Sequence, residues 1–502
     1  MKQLSKDLIA GDGNAECFRA DHLSEKVVQF GEGNFLRGFV DWMIHQTNKQ
    51  QLFNGRVVAI QPTPHGKVVP KLEEQDGLYT FVMRGVEHGQ EVDKSEVISS
   101  IARGINPYTD WQRVLEVAEN PAIEVMFSNT TEAGLTYMAE EYRQELSPLS
   151  FPGKVTAFLH HRYKAFNGSD DAGLLIVPCE LVEDNGTVLK ELVIRIAREW
   201  DFPEDFVKWA VRANQFCNSL VDRIVTGFPK ENSDVFFERL GYQDVLLTVG
   251  EPYHLFAIEA GSDAAELLPF TKAGLNVKWG DSSIYRDLKV RLLNGAHTMM
   301  FAASYLAGRD TVLEVMRDET LLKYVETGMN AEIMPYLDVE EQEKQSFAAS
   351  VLERFRNPYT RHMLTDIGMN AVYKFRARVM PSLLAYVRRE GTLPRMLVFS
   401  LAALIIYYRP VRRDGDFLIG SRQRGEEYVI RDNAQVIECF YDAWTRYEED
   451  TVRLTEVLLQ QKELWGINVL TIAGLKEALQ QDLTNFMQYG ARTSLERLLK
   501  DT

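Results

Sequence analysis

The stretch Lys289 to His297 reads Lys-Val-Arg-Leu-Leu-Asn-Gly-Ala-His, with an amine, a carboxamide and an imidazole at positions i, i+5 and i+8. On an α-helix, at ~100° per residue, Asn294 falls about 140° and His297 about 80° from Lys289, so the three share one arc. The chemistry that suits them is hydride transfer to or from a carbonyl carbon. Such a reaction needs a group that gives or takes the hydroxyl proton. It also needs donors that hold the oxygen as charge builds on it. Lys289 can be the acid/base, and Asn294 and His297 the oxygen-binding pair. Three polar residues on a helix also occur as ordinary solvated positions. Two features favour the chemical reading. The surroundings are apolar (Leu288, Leu292, Leu293, Met299, Met300, Phe301), which predicts a buried helix whose polar groups need a partner or a task. A nucleotide signature also lies upstream.

That signature begins with Lys26-Val-Val-Gln-Phe30, which reads as a buried strand. It runs directly into Gly31-Glu-Gly33-Asn-Phe-Leu-Arg37-Gly38 and then an amphipathic helix to about Asn48. Strand, glycine turn and helix open a dinucleotide-binding unit: glycines let the backbone approach a pyrophosphate, and a helix N-terminus favours its charge. The G-x-G-x-x-G fingerprint is incomplete, because position 36 is Leu. Arg56–Ile60 reads as the second strand. It ends in Gln61-Pro-Thr-Pro64, where many such folds place an acid for the ribose hydroxyls, so the residues leave NAD and NADP open. Ala122–Phe127 and Gly173–Val177 are further strands. The first ends in Ser128-Asn-Thr-Thr-Glu-Ala-Gly134, whose polar side chains can meet a cofactor or cap the loop.

These elements fit a chain of 502 residues with 45% hydrophobic residues, enough for two or three cores. Near Gly280 strand-like runs give way to long helical stretches, about 284–307, 310–326, 338–355, 360–389 and 393–408. The expected fold class is α/β: a Rossmann-like dinucleotide-binding domain over 1–280, then a mostly α-helical domain over 281–502 that opens with the Lys289 helix. Arg412–Gly420 reads as a surface turn or short hairpin. The net charge of −16 argues against nucleic acid or an anionic membrane as a partner. Four scattered cysteines (Cys17, Cys179, Cys217, Cys439) and no apolar leader at the start predict a reduced, cytoplasmic protein. The longest apolar run, Leu397–Tyr408, is too short for a bilayer and reads as a buried helix. Adjacent His160 and His161 point to different helix faces and make a poor metal pair; no metal is expected. Oligomeric state is not legible.

Lys-x4-Asn-x2-His within this context resembles the signature of the polyol-specific long-chain dehydrogenases, a family of mannitol dehydrogenases and hexuronate reductases. The glycine loop matches too, through Gly31, Gly33, Asn34, Phe35 and Arg37. The resemblance implies NAD as cofactor, Lys289 as general acid/base, and Asn294 and His297 on the reacting oxygen. It marks Val27, Val28, Gln29, Phe30, Gly31, Glu32, Gly33, Asn34, Phe35, Leu36, Arg37 and Gly38 as the cofactor-contacting segment. Matched segments around Phe216–Ile224 make Asn218 and Asp222 site candidates, although Asp222 beside Arg223 reads first as a structural ion pair. Pro-Cys-Glu-Leu181 stands where relatives often carry Ser-Cys-Asp-Asn, and Arg286 where mannitol-oxidising relatives often carry Glu. Both changes point away from mannitol, and Arg286 is what a substrate carboxylate would call for, since Arg grips it bidentately. Arg286 can also pair with Asp281 or Asp287. Lys374 corresponds to a family lysine that can touch substrate. The implied partner is a small keto or hydroxy sugar acid. The remaining readings are a neutral polyol as substrate, or a non-catalytic NAD-sensing protein on the same fold.

Overall fold

The computed structural model describes residues 1–11, 20–422 and 425–500; Cys17 lies outside them. The chain divides into two compact units, Met1–Ser282 and Ser283–Thr502.

Alternation along the strands of the first unit sends side chains into two separate cores. Val27, Val57, Val125, Phe127 and Val177 enter one; Val28, Phe30, Val58, Ile60, Met126 and Ile176 enter the other. A sheet buried on both faces is what a parallel sheet requires. It has six parallel strands: β1 (Ser24–Phe30), β2 (Gly55–Ile60), β3 (Ile101–Ile105), β4 (Val125–Ser128), β5 (Leu175–Pro178) and β6 (Gln215–Phe216). Their order is β3-β2-β1-β4-β5-β6. The order reverses between β1 and β4, and in such sheets the ligand crevice lies beyond the carboxyl ends of these two strands. The helix expected to run from the glycine loop to Asn48 is broken into Asn34–Arg37 and Val40–Lys49. The break follows from packing. A Cβ at Gly38 would come within 2.9 Å of Val225, and Phe39 leaves helical geometry at φ −132°, ψ −84°. Between β2 and β3 an antiparallel hairpin, Tyr79–Glu87 with Gln90–Ile98, forms an edge of a second sheet.

The second unit is helical apart from one three-stranded antiparallel sheet, Pro410–Asp414, Phe417–Arg422 and Glu426–Ile430. The hairpin expected near Arg412–Gly420 thus gains a third strand. The apolar run that starts at Leu397 is a buried helix, Arg395–Tyr407. It packs on Gly295–Leu306 and on Leu475–Leu498, two helical pieces joined by a kink at Gly490. Its N-terminus is held by the Glu332 carboxylate, which accepts from the backbone N–H groups of Met396 and Leu397, both at 2.9 Å. Burial pushes the Glu332 carboxyl up to about 7. The stretch expected as one helix over 360–389 is three, Leu364–Ile367, Ala371–Arg378 and Met380–Glu390. Left-handed Asn370 separates the first two, and Pro381 opens the third. Among the described residues no helix is long and apolar enough to cross a membrane.

Candidate active site

The Lys289 segment lies in a continuous helical run whose middle is not α-helical. Ser283–Leu288 is α, Lys289–Asn294 is a π turn, and Gly295–Leu306 is α again. This corrects the simple wheel. A π turn closes from i to i+5 and so absorbs one surplus residue. With that residue absorbed, Lys289, Asn294 and His297 occupy the places of positions i, i+4 and i+7. They then lie ~40° and ~20° from the lysine, instead of about 140° and 80°. The turn is held from both sides. Arg291 donates from Nε to Ser382 Oγ at 2.7 Å and reaches Asp287 at 3.6 Å. Thr298 Oγ1 donates to the Asn294 carbonyl at 2.8 Å. Below it the helix is anchored in the core, with Leu288, Leu292, Ala296, Met299 and Met300 fully buried.

Two polar atoms on this face are enclosed and unsatisfied: Asn294 Oδ1 and His297 Nε2 have no hydrogen-bond partner. Buried polar groups are otherwise almost always paired. The His297 ring lies 4.3 Å from the Phe355 ring and 4.7 Å from that of His362. Burial, reinforced by His362, Arg354, Arg378 and Lys374, holds its pKa well below the usual imidazole range. His297 is therefore neutral and offers one N–H donor and one acceptor. Lys374 Nζ donates to the carbonyls of Ile367 at 3.1 Å and Asp366 at 3.3 Å, so it belongs to the same neighbourhood. Arg286 is half-buried on the turn before Lys289. Arg354 and Arg378, missed in the sequence, join this cationic surround. Arg378 follows Lys374 by four on one helix, a spacing that places both on one face.

In the first unit the glycine loop is built from within. Gly31 has φ +127°, and a Cβ there would lie 2.9 Å from the Asn129 carbonyl oxygen. The strain of a side chain at such a φ is about 1–3 kcal/mol. Gly31→Ala is therefore expected to lose at least about that much stability in urea unfolding, and an unchanged midpoint would refute the account. Gly33 is open, with nothing within 4 Å of where a Cβ would stand. Val27, Val28, Phe30 and Leu36 place their side chains in the cores. Arg37 is buried, donating to the Glu32 carbonyl, to Asn34 Oδ1 at 2.6 Å and to Thr248 Oγ1 at 3.3 Å; it shapes the loop. Glu32 is buried too, and burial pushes its carboxyl to about 7. Gln29 Nε2 donates to the Gly31 carbonyl at 2.8 Å. The solvent-facing part of the segment is Gly33–Phe35. At the end of β2, Gln61 donates to the Thr63 carbonyl at 2.7 Å, and its buried Oε1 has no partner.

Asn218 accepts from Thr187 N at 2.9 Å and donates to Glu259 at 2.9 Å, which ties it to the first turn of helix Asn185–Glu199. Asp222 is buried at the end of strand Ser219–Asp222. The expected Asp222–Arg223 pair does not form. Arg223 instead donates to the carbonyls of Glu251 and Gly38, with its guanidinium over the rings of Trp42 and Phe81. Ser128 and Thr130 donate to Glu180, so they cap the loop. Among the described residues no three His, Cys, Asp or Glu side chains gather as metal ligands would.

Two family models match in tandem, the mannitol dehydrogenase Rossmann domain over residues 25–269 and the mannitol dehydrogenase C-terminal domain over residues 281–486. An altronate oxidoreductase of Halalkalibacterium halodurans is 54% identical over 502 residues, covering 99% of this chain and 98% of its own. The chain belongs to the mannitol dehydrogenase family. An Escherichia coli altronate oxidoreductase is 40% identical over 490 residues, with 97% of this chain and 99% of its own covered. Among solved structures, a D-sorbitol dehydrogenase superposes with a TM-score of 0.80 at 19% identity, covering 98% of this chain and 100% of its own. The Pseudomonas fluorescens mannitol 2-dehydrogenase, solved with NAD and D-mannitol, gives 0.66 at 19%, with both chains fully covered. In this mannitol dehydrogenase family member the apolar side chain of Leu181 is 64% exposed.

Proposed function

We propose that the chain is an NAD-dependent oxidoreductase that interconverts D-tagaturonate and D-altronate in hexuronate breakdown, a tagaturonate reductase. The observation that carries the chemistry is the enclosed, unsatisfied His297 Nε2, with the carboxamide of Asn294 left unpaired at its Oδ1 and its NH2 group available as a donor, on the face that the π turn shares with Lys289. The names of the relatives at 54% and 40% identity supply the substrate. The residues of the first unit fit NAD: an open Gly33 backbone beside a Gly31 that tolerates no side chain, and an unpartnered Gln61 Oε1 at the end of β2. Val27 to Gly38 would hold the cofactor, chiefly through main chain at Gly31–Phe35. When bound, NAD(H) supplies or accepts the hydride.

In the reducing direction the keto oxygen gains charge as its carbon is reduced. The Asn294 amide and the neutral His297 N–H donate to that oxygen and stabilise it. Lys289 then gives it a proton, leaving the hydroxyl of altronate. In oxidation the same groups run in reverse: Lys289 takes the hydroxyl proton while Asn294 and His297 hold the oxygen in place. The cations around His297 suit an anionic sugar. The net charge of −16 favours neither nucleic acid nor membrane as a partner. The protein is proposed to work in the cytoplasm and without a metal.

The test is NADH oxidation with tagaturonate, fructuronate and fructose offered separately. Turnover that favours tagaturonate supports the reading. A preference for fructuronate or fructose would move the substrate to another hexuronate or a neutral polyol. NADH binding with no turnover of any of them would favour an NAD-sensing protein.

A further inference from the structure

We propose that Arg378 holds the substrate carboxylate, with Lys374 one turn earlier as its second cation; this rests on the sugar-acid reading above. Three independent observations meet at this residue. The first is backbone contact. The Arg378 carbonyl oxygen lies 3.3 Å from where a Cβ of Gly295 would stand, and Gly295 sits between Asn294 and the His297 turn. The helix Ala371–Arg378 thus packs at Gly295 against the same helical run that carries the oxygen-binding pair, an approach that the absence of a side chain at Gly295 permits.

The second observation is the state of the guanidinium. Arg378 is half-buried, and no described residue gives it a hydrogen bond or an ion pair. A partly desolvated cation without a counter-ion is costly unless an anion arrives. The neighbouring cations differ. Lys374 Nζ is tied to two backbone carbonyls, and an ammonium has three donors, so one N–H remains for a ligand. Arg354 is buried and has interactions of its own.

The third is charge placement. Arg378 and Lys374 lie four apart on one helix and both act on His297, so the positive surround reaches the oxygen-binding atoms. Two acids act on Lys374, Asp366 and Asp432; Asp366, which also acts on His362, is exposed, and Asp432 is engaged by the Tyr408 hydroxyl. A planar guanidinium accepts a carboxylate through two parallel hydrogen bonds. A sugar acid bound by its carboxylate at Arg378 and by its reacting oxygen at Asn294 and His297 would be fixed at two points. Arg378 is then a specificity-determining residue, one that separates a uronate from the neutral sugar of the same shape.

The experiment compares wild type, Arg378→Ala and Arg378→Lys on two acid–neutral pairs: tagaturonate with tagatose, and fructuronate with fructose. The expected result in Arg378→Ala is a fall of about 10²-fold in the ratio of kcat/KM for the acid to that for its neutral partner. The fall is carried mainly by KM, and Arg378→Lys recovers part of the ratio. The NADH dissociation constant of each variant serves as the check on folding. An unchanged ratio in Arg378→Ala overturns the proposal, as does an equal loss on acid and neutral sugar. If the wild type accepts fructuronate and not tagaturonate, the functional reading fails, and the fructuronate–fructose ratio still decides Arg378. If it accepts only neutral sugars, or none of the four, both fall together.

Discussion

Lys289→Ala is expected to lower kcat by about 10²- to 10⁴-fold, the range for loss of a positioned general acid/base, while the NADH dissociation constant stays within about twofold. Lys289 stands on the π turn, away from the glycine loop in sequence and in role. Its loss removes the proton donor and leaves the oxygen-binding pair in place, so binding of the sugar should survive better than turnover. The change should fall on kcat and kcat/KM alike, the pattern of an interaction made in the transition state. His297 cannot substitute as the acid, because burial and its cationic neighbours keep it neutral. Steady-state kinetics with tagaturonate, together with NADH fluorescence titration, decide the matter. A variant within several fold of wild type would remove Lys289 from the mechanism.

Asn294→Leu should separate activity from stability. The two side chains branch at the same carbon, so the shape is nearly kept while the amide is lost. Loss of one donor to a developing oxyanion costs about 10²- to 10³-fold in kcat, with little change in KM. In the free protein Asn294 Oδ1 is enclosed without a partner, and such an orphan costs about 1–3 kcal/mol. Asn294→Leu is therefore expected to unfold at higher denaturant than wild type while turning over far more slowly. Asn294→Asp should be slower still, since it sets an anion against the growing negative charge. Urea titration and kinetics on the same preparations read both effects. A variant that is both active and no more stable would show that Asn294 is a solvated helix residue.

The parts of this protein that follow local rules were legible in its residues. Lys26–Phe30 and the glycines after it announced the strand and turn of a dinucleotide-binding unit, because alternation and the need for φ > 0 are local. The switch to helices near Gly280 was legible from pattern length; the compact units divide after Ser282. What was not legible depended on distant partners. Arg223 beside Asp222 read as an ion pair, yet it lies over Trp42 and Phe81, which come from other elements. Arg37, which the resemblance sets in the cofactor-contacting segment, is buried against the loop's own oxygens, a burial its motif did not announce. The π turn has no periodicity of its own in six residues. It is held by Ser382, 91 residues from Arg291, and by the approach of Arg378 to Gly295. Arg378 itself was readable from its spacing to Lys374, but only once that helix was known to end there.

The π turn at Lys289–Asn294 also sets a rule for anyone transplanting this constellation into another scaffold. Copied letter for letter onto an ideal α-helix, Lys-x4-Asn-x2-His would splay the amine and the carboxamide about 140° apart. A faithful graft would delete one residue and write Lys-x3-Asn-x2-His. A search of helical proteins for look-alike sites should use that shorter spacing wherever the helix is regular, and the longer one only where a surplus residue has been wound in.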